Sequence, residues 1–546
     1  MTIATGSSAG TLRPAAHRRD MRRIWISGFV LLFATIATWS LATPLGAVPD
    51  EPSHLTKAAA VVRGNFAHRP SGRPGVELVA APRFFGSLAI DPVCYAFDPR
   101  VPAGCAAAVV GPDAGQVVDV PTGAARYPPL YYLLVGTPLL AAPGFPAIYA
   151  ARLLSAALSA ALLASAFISA AEGRRRLPVL GVLVAATPTV YFFAGAVNPS
   201  GFEAAAAICL WASLLRLGAG EVARGWHLPT RIAVSGSALA LSRGLSPVWL
   251  VAIVGLVLTG MRWCDVRRAI APPAVRRALL TVGVAAVVAE AYVLAAHTLT
   301  VIPGPQATGP TSAIWRRAAG QTAQWAQELI AVLGWYALTP ALVVGAWLAA
   351  TGCALLTGLA AAPARMRFAI VGTTLATLVL PIAAEATTAR HTGFVWQGRY
   401  VLPIAVGVPL LAGFALARHP GGEADARRLA GSVASMVGLG LSAAFYLGLR
   451  RHLVGVDGPL NPLTRVPLSW HPPLPGLLLL GAFVLLTVAL CGWVTLLAGT
   501  ASSGMGAPGL ARHPGAPDAA PDAAFDSADR SRSVRPEADV ATRAPS

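Results

Sequence analysis

A short segment at residues 49–57 contains four ionisable side chains directly after a long apolar stretch. Its two prolines end that stretch and favour a new helix, because proline is well tolerated in the first turn of a helix. His54 and Lys57 then share one helix face, and Asp50 and Glu51 lie at its leading end. Adjacent carboxylates beside an imidazole and an ammonium can perform general acid–base chemistry. They can equally form a charged helix start that anchors a span at the membrane surface, and the spacing favours neither.

Other ionisable side chains lie within or at the ends of apolar segments, mostly toward the same side as residues 49–57. Such groups are costly at membrane depth and generally have functional or paired roles. The opposing interpretation is a set of buried ion pairs that hold a helical bundle together, and Glu290 fits it best. The acids on this side are Glu203, Glu290 and Glu385, and the arginines are Arg126, Arg152, Arg243, Arg390 and Arg399.

The composition is that of an integral membrane protein. Hydrophobic residues make up 55% of the 546 positions and charged residues 12%, whereas a soluble domain carries about 25% charge. A net charge of +18 would suggest a nucleic-acid partner in a soluble protein. Here the arginines form short tracts between apolar segments, as topology signals do, so we expect membrane lipids and no nucleic acid as partners. Lys57 is the only lysine, a bias that suggests a GC-rich bacterial genome.

About twelve apolar segments approach the length of roughly 20 residues that a helical span needs. The predicted fold is therefore all-α, a polytopic transmembrane helical bundle over residues 24–499. A basic N-terminus at 1–23 precedes it, and a disordered cytoplasmic tail at 500–546 follows. The predicted spans are 24–46, 148–171, 177–197, 201–218, 231–243, 245–261, 278–298, 338–360, 368–387, 401–417, 429–449 and 474–499.

Arginine tracts predict the orientation of the bundle. They precede the first span, follow the second, separate the sixth from the seventh and precede the eleventh, and all fall on one side. The positive-inside rule assigns that side to the cytoplasm, so both chain ends are predicted to be cytoplasmic in a multi-pass protein of the bacterial plasma membrane. A cleaved signal peptide is the alternative for the first apolar stretch, but its length and the many later spans favour an uncleaved anchor.

The loop between the first two spans, about residues 47–147, is far longer than the others, and long loops are usually functional or disordered. Its apolar part at 129–142 is bracketed by prolines and is short for a span. Counting it as a span would invert the topology of everything that follows. We therefore interpret it as an interfacial or re-entrant helix, a depth that suits Tyr127, Tyr131 and Tyr132.

Two of the six cysteines, Cys94 and Cys105, fall in this long loop, and we place the other four in spans or at a cytoplasmic edge. The extracytoplasmic compartment is oxidising. We expect a disulfide between them, and two unpaired small residues are the alternative.

The chain has an acidic pair directly after the first span, a long outer loop, the segment Arg-Tyr-Pro-Pro-Leu-Tyr-Tyr (126–132) and then Ala-Arg-Leu-Leu-Ser (151–155). In these features it resembles the GT-C superfamily, membrane glycosyltransferases that use polyprenyl-phosphate sugars. Three further motifs are Pro-Asp-Glu-Pro-Ser-His (49–54), Asn-Pro (198–199) and Gln-Gly-Arg-Tyr-Val-Leu-Pro (397–403). In these the chain is still more similar to an uncharacterised family of predicted bacterial membrane proteins. The resemblance covers roughly residues 20–450, and the order of the motifs is more specific than any one of them.

The resemblance implies a GT-C-like bundle that moves a sugar, with inversion, from a polyprenyl-phosphate donor to an envelope glycan, lipid or protein. Asp50 matches the position of the general base that takes the acceptor's proton. Glu51 is expected to orient the acceptor or to help hold a divalent cation, Mg²⁺ or Mn²⁺. Arginines are expected to stabilise the departing lipid phosphate, since the guanidinium fork matches its oxygens, and Arg399 is the strongest candidate. The other expected substrate-binding residues are His54, Lys57, Arg126, Tyr127, Tyr131, Arg243, Arg390 and Tyr400.

Several other classes of protein lack their motifs here. The sequence contains no Walker A loop, dinucleotide-binding fingerprint, H-E-x-x-H zinc motif or Cys-x-x-Cys pair. A membrane carrier or flippase is one alternative, and it predicts internal repeats and polar groups at the bilayer midplane. We find no convincing repeat, and the charges gather at the outer ends of the spans. A non-catalytic scaffold for envelope polysaccharide or lipid assembly is the other alternative.

Overall fold

The computed structural model describes residues 9–88, 93–106, 110–220, 227–299, 306–335, 340–461 and 468–500. The predicted disordered tail, apart from residue 500, lies outside the described residues. The helices are α1 (Ala9–Ala42), α2 (Glu51–Val61), α3 (Arg83–Ser87), α4 (Val93–Ala96), α5 (Leu130–Val135), α6 (Phe145–Ala171), α7 (Val179–Ala185), α8 (Pro188–Ala194), α9 (Pro199–Gly218), α10 (Leu228–Ala240), α11 (Ser246–Thr259), α12 (Trp263–Ile270), α13 (Pro273–Ala295), α14 (Thr311–Gly320), α15 (Thr322–Ile330), α16 (Ala341–Ala361), α17 (Ala364–Thr392), α18 (Leu402–Ala405), α19 (Gly407–Ala415), α20 (Glu423–Val454) and α21 (Gly476–Ala498).

Nine helical segments of the described chain are long and apolar enough to cross a membrane. Each matches one of the predicted spans, so the chain is a mostly helical, polytopic membrane protein. The nine segments are Ala16–Ala42, Phe145–Ala171, Pro199–Gly218, Pro273–Ala295, Ala341–Ala361, Ala364–Thr392, Gly398–Arg418, Glu423–Val454 and Gly476–Ala498.

The other three predicted spans coincide with shorter helices. The span predicted at 177–197 is divided into α7 and α8, because Thr187 is extended and Pro188 begins the second helix. The span at 231–243 corresponds to α10, which has 13 residues, and the span at 245–261 to α11, which has 14. At 1.5 Å per residue a helix of that length is shorter than the hydrocarbon core of about 30 Å. The count of twelve spans therefore stays a prediction.

The first long loop contains a three-stranded antiparallel sheet that the sequence analysis did not predict. Its strands are β1 (Arg69–Pro70), β2 (Glu77–Pro82) and β3 (Val117–Thr122), in that spatial order. The residues of β2, Glu-Leu-Val-Ala-Ala-Pro, have weak strand propensity. The strands are stabilised by burial instead, since Val79 and Val120 of the sheet pack with Ala60 of α2. The segment at 129–142 forms α5 and one 3-10 turn, Thr137–Leu140, which are too short to span.

The same loop contains the predicted disulfide between Cys94 and Cys105. The disulfide-bonded segment lies against the C-terminal end of α20, where the Val456 backbone N–H donates to the Pro99 carbonyl at 3.0 Å. A glycine at position 455 is necessary for the disulfide-bonded segment to lie this close to the end of α20. The φ of Gly455 is +75°, and a Cβ there would lie 1.9 Å from the Arg100 carbonyl oxygen.

The two ends of the bundle carry different polar clusters. Arg176 pairs with Asp20 and donates to the Thr500 hydroxyl at 3.2 Å. Residues before the first span, after the second and after the last therefore lie at one end, as the arginine tracts predict. Asp50 follows α1 and lies at the opposite end.

Impermeant thiol labelling of intact cells should place these two ends on opposite sides of the membrane. Gly115 is exposed in the long loop, and a Cβ there meets no atom within 4 Å. A Gly115→Cys protein is therefore expected to react in intact cells. The native Cys264, exposed between the sixth and seventh predicted spans, is expected to react only after permeabilisation. Labelling of Cys264 but not of position 115 in intact cells would show the inverse topology.

Candidate functional site

Asp50 is held in an unusual backbone conformation at the N-terminal end of α2. Its φ is 65°, in the left-handed region, which Asp and Asn adopt more readily than other non-glycine residues. The Asn198 side-chain amide donates to the carbonyl of Pro49 at 2.8 Å. The Asn198 side-chain oxygen accepts from the Ser200 backbone N–H at 2.9 Å and so caps α9. The Asn-Pro pair therefore fixes the turn that presents Asp50.

Glu51, in contrast, is buried and fully occupied. Its carboxylate accepts from Nε and Nη2 of Arg152 at 2.7 and 2.5 Å, and from the backbone N–H groups of Gly46 and Val197 at 3.1 and 3.2 Å. A carboxylate offers about four acceptor sites, and all four are used. The Glu51 carboxylate therefore has no free acceptor site with which to orient an acceptor or hold a cation, as had been expected of it. We assign Glu51 to the support of the site.

Arg152 extends that support to the end of α1. Its Nη1 donates to the carbonyls of Ser40 and Thr43 at 3.0 and 2.8 Å, and its Nη2 donates to Pro44 at 2.9 Å. The buried Glu51–Arg152 pair thus joins α1, α2 and α6 next to Asp50.

A Glu51→Gln substitution is expected to destabilise the protein by about 3–5 kcal/mol, because it leaves the buried Arg152 without its counter-charge. The melting temperature of the detergent-purified protein and its level in membranes should both fall. Asp119→Asn is the control, since Asp119 pairs with the exposed Arg69 and surface pairs contribute about 0–1 kcal/mol. A Glu51→Gln protein with unchanged melting temperature would contradict this assignment.

Asp50 forms an ion pair with Arg399, which lies 349 residues later in the chain. The Asp50 side chain is 42% exposed, whereas that of Arg399 is 2% exposed. Partial burial acts to raise the pKa of Asp50, but the positive charges around it, Arg399 foremost, leave that pKa below its ordinary value. Asp50 is therefore ionised at neutral pH, as a general base must be.

Arg243 supplies a second cation beside Arg399. The ring of Tyr400 lies between them, with its centroid 5.0 Å from the Arg243 guanidinium and 5.3 Å from that of Arg399. Arg243 also lies 5.8 Å from the Tyr127 ring and 3.5 Å from the Glu203 carboxylate. The predicted residues Asp50, Arg243, Arg399, Tyr127 and Tyr400 thus form one cluster at the end of the bundle opposite Asp20 and Arg176.

The guanidinium of Arg399 has unused hydrogen-bonding capacity. Its Nη2 donates to Asp50, but its buried Nε and Nη1 have no hydrogen-bond partner. The ring of Phe193 lies 5.0 Å from the guanidinium carbon. Buried polar groups are nearly always satisfied by protein, water or a bound ion. These two nitrogens can therefore donate hydrogen bonds to the oxygens of an anionic substrate.

The Gln-Gly-Arg-Tyr block is positioned by α15. The backbone N–H of Gly398 donates to the Glu328 carboxylate at 2.5 Å, and the Trp325 indole donates to the Trp396 carbonyl at 3.2 Å. A Cβ at position 398 would lie 2.3 Å from the Trp325 carbonyl oxygen. Glycine is therefore required before Arg399, and the sequence offered no signal that α15 is its support.

His54 and Lys57 support the site from within α2. The His54 Nδ1 is 2.8 Å from the Tyr132 hydroxyl, and burial lowers the pKa of His54 to about 3, so its imidazole is neutral. The Lys57 ammonium donates to the Ala125 carbonyl at 2.5 Å, and burial lowers its pKa to about 8. Lys57 is 1% exposed, so the structure does not place it where a substrate would bind.

Three other predicted substrate-binding residues have contacts elsewhere. Arg126 pairs with Glu77 of β2. Arg390 donates to the Gly309 carbonyl at 3.0 Å, on the segment that precedes α14. Tyr131 is fully buried, and its hydroxyl is 3.0 Å from that of Ser155. The structure does not bring these three side chains into the cluster around Asp50.

Polar residues that the sequence analysis did not assign to the site complete it. The Ser246 hydroxyl donates to Glu203 at 2.6 Å, and Nη1 of Arg243 donates to the Ser200 hydroxyl at 3.2 Å. Glu203 had been recognised only as an ionisable residue on the same side, whereas Arg243 was among the expected substrate-binding residues. Ser200 follows the Asn-Pro pair, which was the available signal.

No group of three His, Cys, Asp or Glu side chains in the described segments is arranged to hold a metal ion. Because Glu51 is saturated, Asp50 is the member of the acidic pair with capacity for a cation. The expected divalent cation stays a prediction.

The amino-acid sequence was also compared with known proteins. Residues 32–408 match a family model described as predicted membrane protein (DUF2142), and this range covers more than half of the chain. It includes Asp50, Arg243 and Arg399. A comparison with curated proteins finds no significant match.

Proposed function

The chain belongs to the family described as predicted membrane protein (DUF2142), and we propose that it is a GT-C-type glycosyltransferase. It transfers a sugar from a polyprenyl-phosphate donor to a hydroxyl of an envelope glycan, lipid or protein. The reaction takes place at the extracytoplasmic face of the bacterial plasma membrane. The observation that carries the proposal is an ionised, partly exposed Asp50 beside two arginines, one of which has buried donors without partners.

The donor phosphate would bind at Arg399 and Arg243. Guanidinium groups stay protonated and match phosphate oxygens in a bidentate way. Nε and Nη1 of Arg399 are free, and Nη2 has two N–H groups. The Nη2 N–H that does not contact Asp50 can therefore form a fork with Nε or Nη1, and a phosphate can bind there. Tyr400 and Phe193 cover the guanidinium faces and limit access of water. Electrostatic attraction is stronger in such a site than in water.

Asp50 would act on the acceptor. Its carboxylate takes the proton of the acceptor hydroxyl, and the hydroxyl oxygen attacks the anomeric carbon from the side opposite the phosphate. The bond between that carbon and the phosphate oxygen breaks, so the sugar is transferred with inversion. The polyprenyl phosphate leaves with increased negative charge, which the arginines stabilise. Asp50 then returns the proton to solvent.

Complementation of a deletion strain tests this function. Wild-type protein should restore an envelope glycan or glycolipid that the deletion removes, and Asp50→Asn at matched expression should not. A carrier or a scaffold with no catalytic base would predict full restoration by Asp50→Asn, and that result would exclude the mechanism proposed here.

A further inference from the structure

A second buried cation lies at the outer end of α20, separate from the cluster around Asp50. Arg451 is 4% exposed. Its Nη2 donates to the Tyr95 carbonyl at 2.6 Å, and its guanidinium lies 5.4 Å from the Tyr95 ring. Its Nε and Nη1 are buried and have no hydrogen-bond partner. No acidic side chain forms an ion pair with Arg451 among the residues that the structure describes.

His452 adds further unsatisfied groups at the same place. It is 2% exposed, and apart from the nearby Gly448 backbone its ring nitrogens have no hydrogen-bond partner. The ring meets Tyr95 and Trp470 edge to face, with centroid distances of 6.3 and 6.2 Å. Two aromatic rings therefore border a group of buried nitrogen atoms. The nearby Asp98 attracts Arg451 electrostatically, but it is exposed and forms its ion pair with Arg100.

An unpaired buried charge is unfavourable, and an unsatisfied buried group in a native protein usually indicates an unseen water or ion. Nη2 of Arg451 has a second N–H besides the one that contacts Tyr95, and together with Nε or Nη1 it forms a fork that fits the oxygens of an oxyanion. Arg451 lies in the last turn of α20, just beyond the span predicted at 429–449, where a helix leaves the apolar part of a membrane. We propose that Arg451 and His452 form a second anion site, which binds a phosphate group.

The site borders the support of Asp50. Tyr95 packs with Ala47, which is next to Gly46, a donor to Glu51. The segment that contributes Tyr95 is closed by the Cys94–Cys105 disulfide. Phosphate binding here would therefore stabilise the outer end of the bundle, whether or not the protein transfers a sugar.

The test measures melting temperature of the full-length detergent-purified protein against inorganic phosphate, at constant ionic strength set with chloride. All proteins carry Arg399→Met, which weakens phosphate binding at the proposed active site by removing its free guanidinium donors. The melting temperature is expected to rise with the logarithm of phosphate concentration. Adding Arg451→Met should abolish that rise, whereas adding Arg316→Met, at an exposed arginine of α14, should preserve it.

Folding of the Arg451→Met protein is not expected to fail, because replacing an unpaired buried charge by an apolar side chain of similar length removes a cost. Arg451→Lys provides a second variant, with the charge kept and the fork lost, and it should show a smaller rise. A parallel titration with a short-chain phosphatidic acid distinguishes the source. A rise with the lipid alone assigns the site to headgroups, and a rise with both shows that phosphate suffices. No rise with either, or an equal rise without Arg451, would overturn the proposal.

Discussion

An Asp50→Asn protein is expected to accumulate normally in the membrane and to lose transfer activity by about 10²–10⁴-fold, the usual contribution of a general base. Asparagine keeps the shape of the side chain but cannot take the acceptor's proton. It also tolerates the left-handed backbone at position 50, where φ is 65°. The fold of the turn should therefore survive. Asp50 is 42% exposed, so loss of its charge should destabilise the protein less than loss of the fully buried Glu51 charge. Initial rates of sugar transfer by equal amounts of purified protein measure the effect.

Two controls separate catalysis from folding. Asp119→Asn removes a carboxylate from the same loop, at an exposed pair with Arg69, and should retain full activity. Glu51→Gln should reduce the amount of folded protein, and the molecules that remain folded should retain more activity than Asp50→Asn. If Asp50→Asn lost activity only in proportion to its membrane level, the carboxylate would be a structural helix start.

Arg399→Lys is expected to reduce turnover by about 10- to 100-fold while harming stability much less. The ammonium keeps the positive charge that pairs with Asp50, but it cannot make the bidentate contact with phosphate. A hydrogen bond to a charged group contributes about 1.5–3 kcal/mol, which corresponds to that range of rates. Activity and melting temperature should be measured on the same preparation.

Arg126→Lys is the matched control for this prediction. Arg126 lies on the same side of the membrane but pairs with Glu77, so its substitution should leave turnover nearly unchanged. Equal losses for Arg399→Lys and Arg126→Lys would mean that outer positive charge in general, and not a phosphate contact at Arg399, supports activity.

The sequence was sufficient to find Asp50, Arg243 and Arg399 as candidates, although they lie far apart in the chain. Charged residues are rare in apolar segments, so their positions at the outer ends of predicted spans indicated a common site. The span pattern also predicted nine of the long helices, since hydrophobic length is a strong signal.

The different roles of Asp50 and Glu51 could not be predicted from the sequence. Asp50 and Glu51 have the same chemistry, and their roles differ because Arg152 and two backbone N–H groups reach only Glu51. Lys57 shares the predicted face with His54, but packing of α2 against the sheet buries it. These outcomes depend on tertiary contacts between distant segments.

Short elements were the least predictable. Both β2 and β3 contain residues that are rare in strands: β2 has two alanines and a proline, and β3 has an aspartate and a proline. The two strands are stabilised instead by packing on α2. The predicted span at 177–197 is divided at Thr187 and Pro188. The only sign of this division in the sequence was the proline within the apolar run. Each of these features depends on neighbours that local propensity does not specify.

The most direct test is transfer by the purified protein in proteoliposomes, with a mixture of polyprenyl-phosphate sugars and an extract of envelope acceptors. Wild-type protein is expected to release polyprenyl phosphate and to attach the sugar to an acceptor with inverted anomeric configuration. Asp50→Asn protein, equally folded and equally reconstituted, should release almost none. Transfer by Asp50→Asn at the wild-type rate would contradict the assignment of Asp50 as the catalytic base. Failure of wild-type protein to use any donor in the mixture would contradict the glycosyltransferase function.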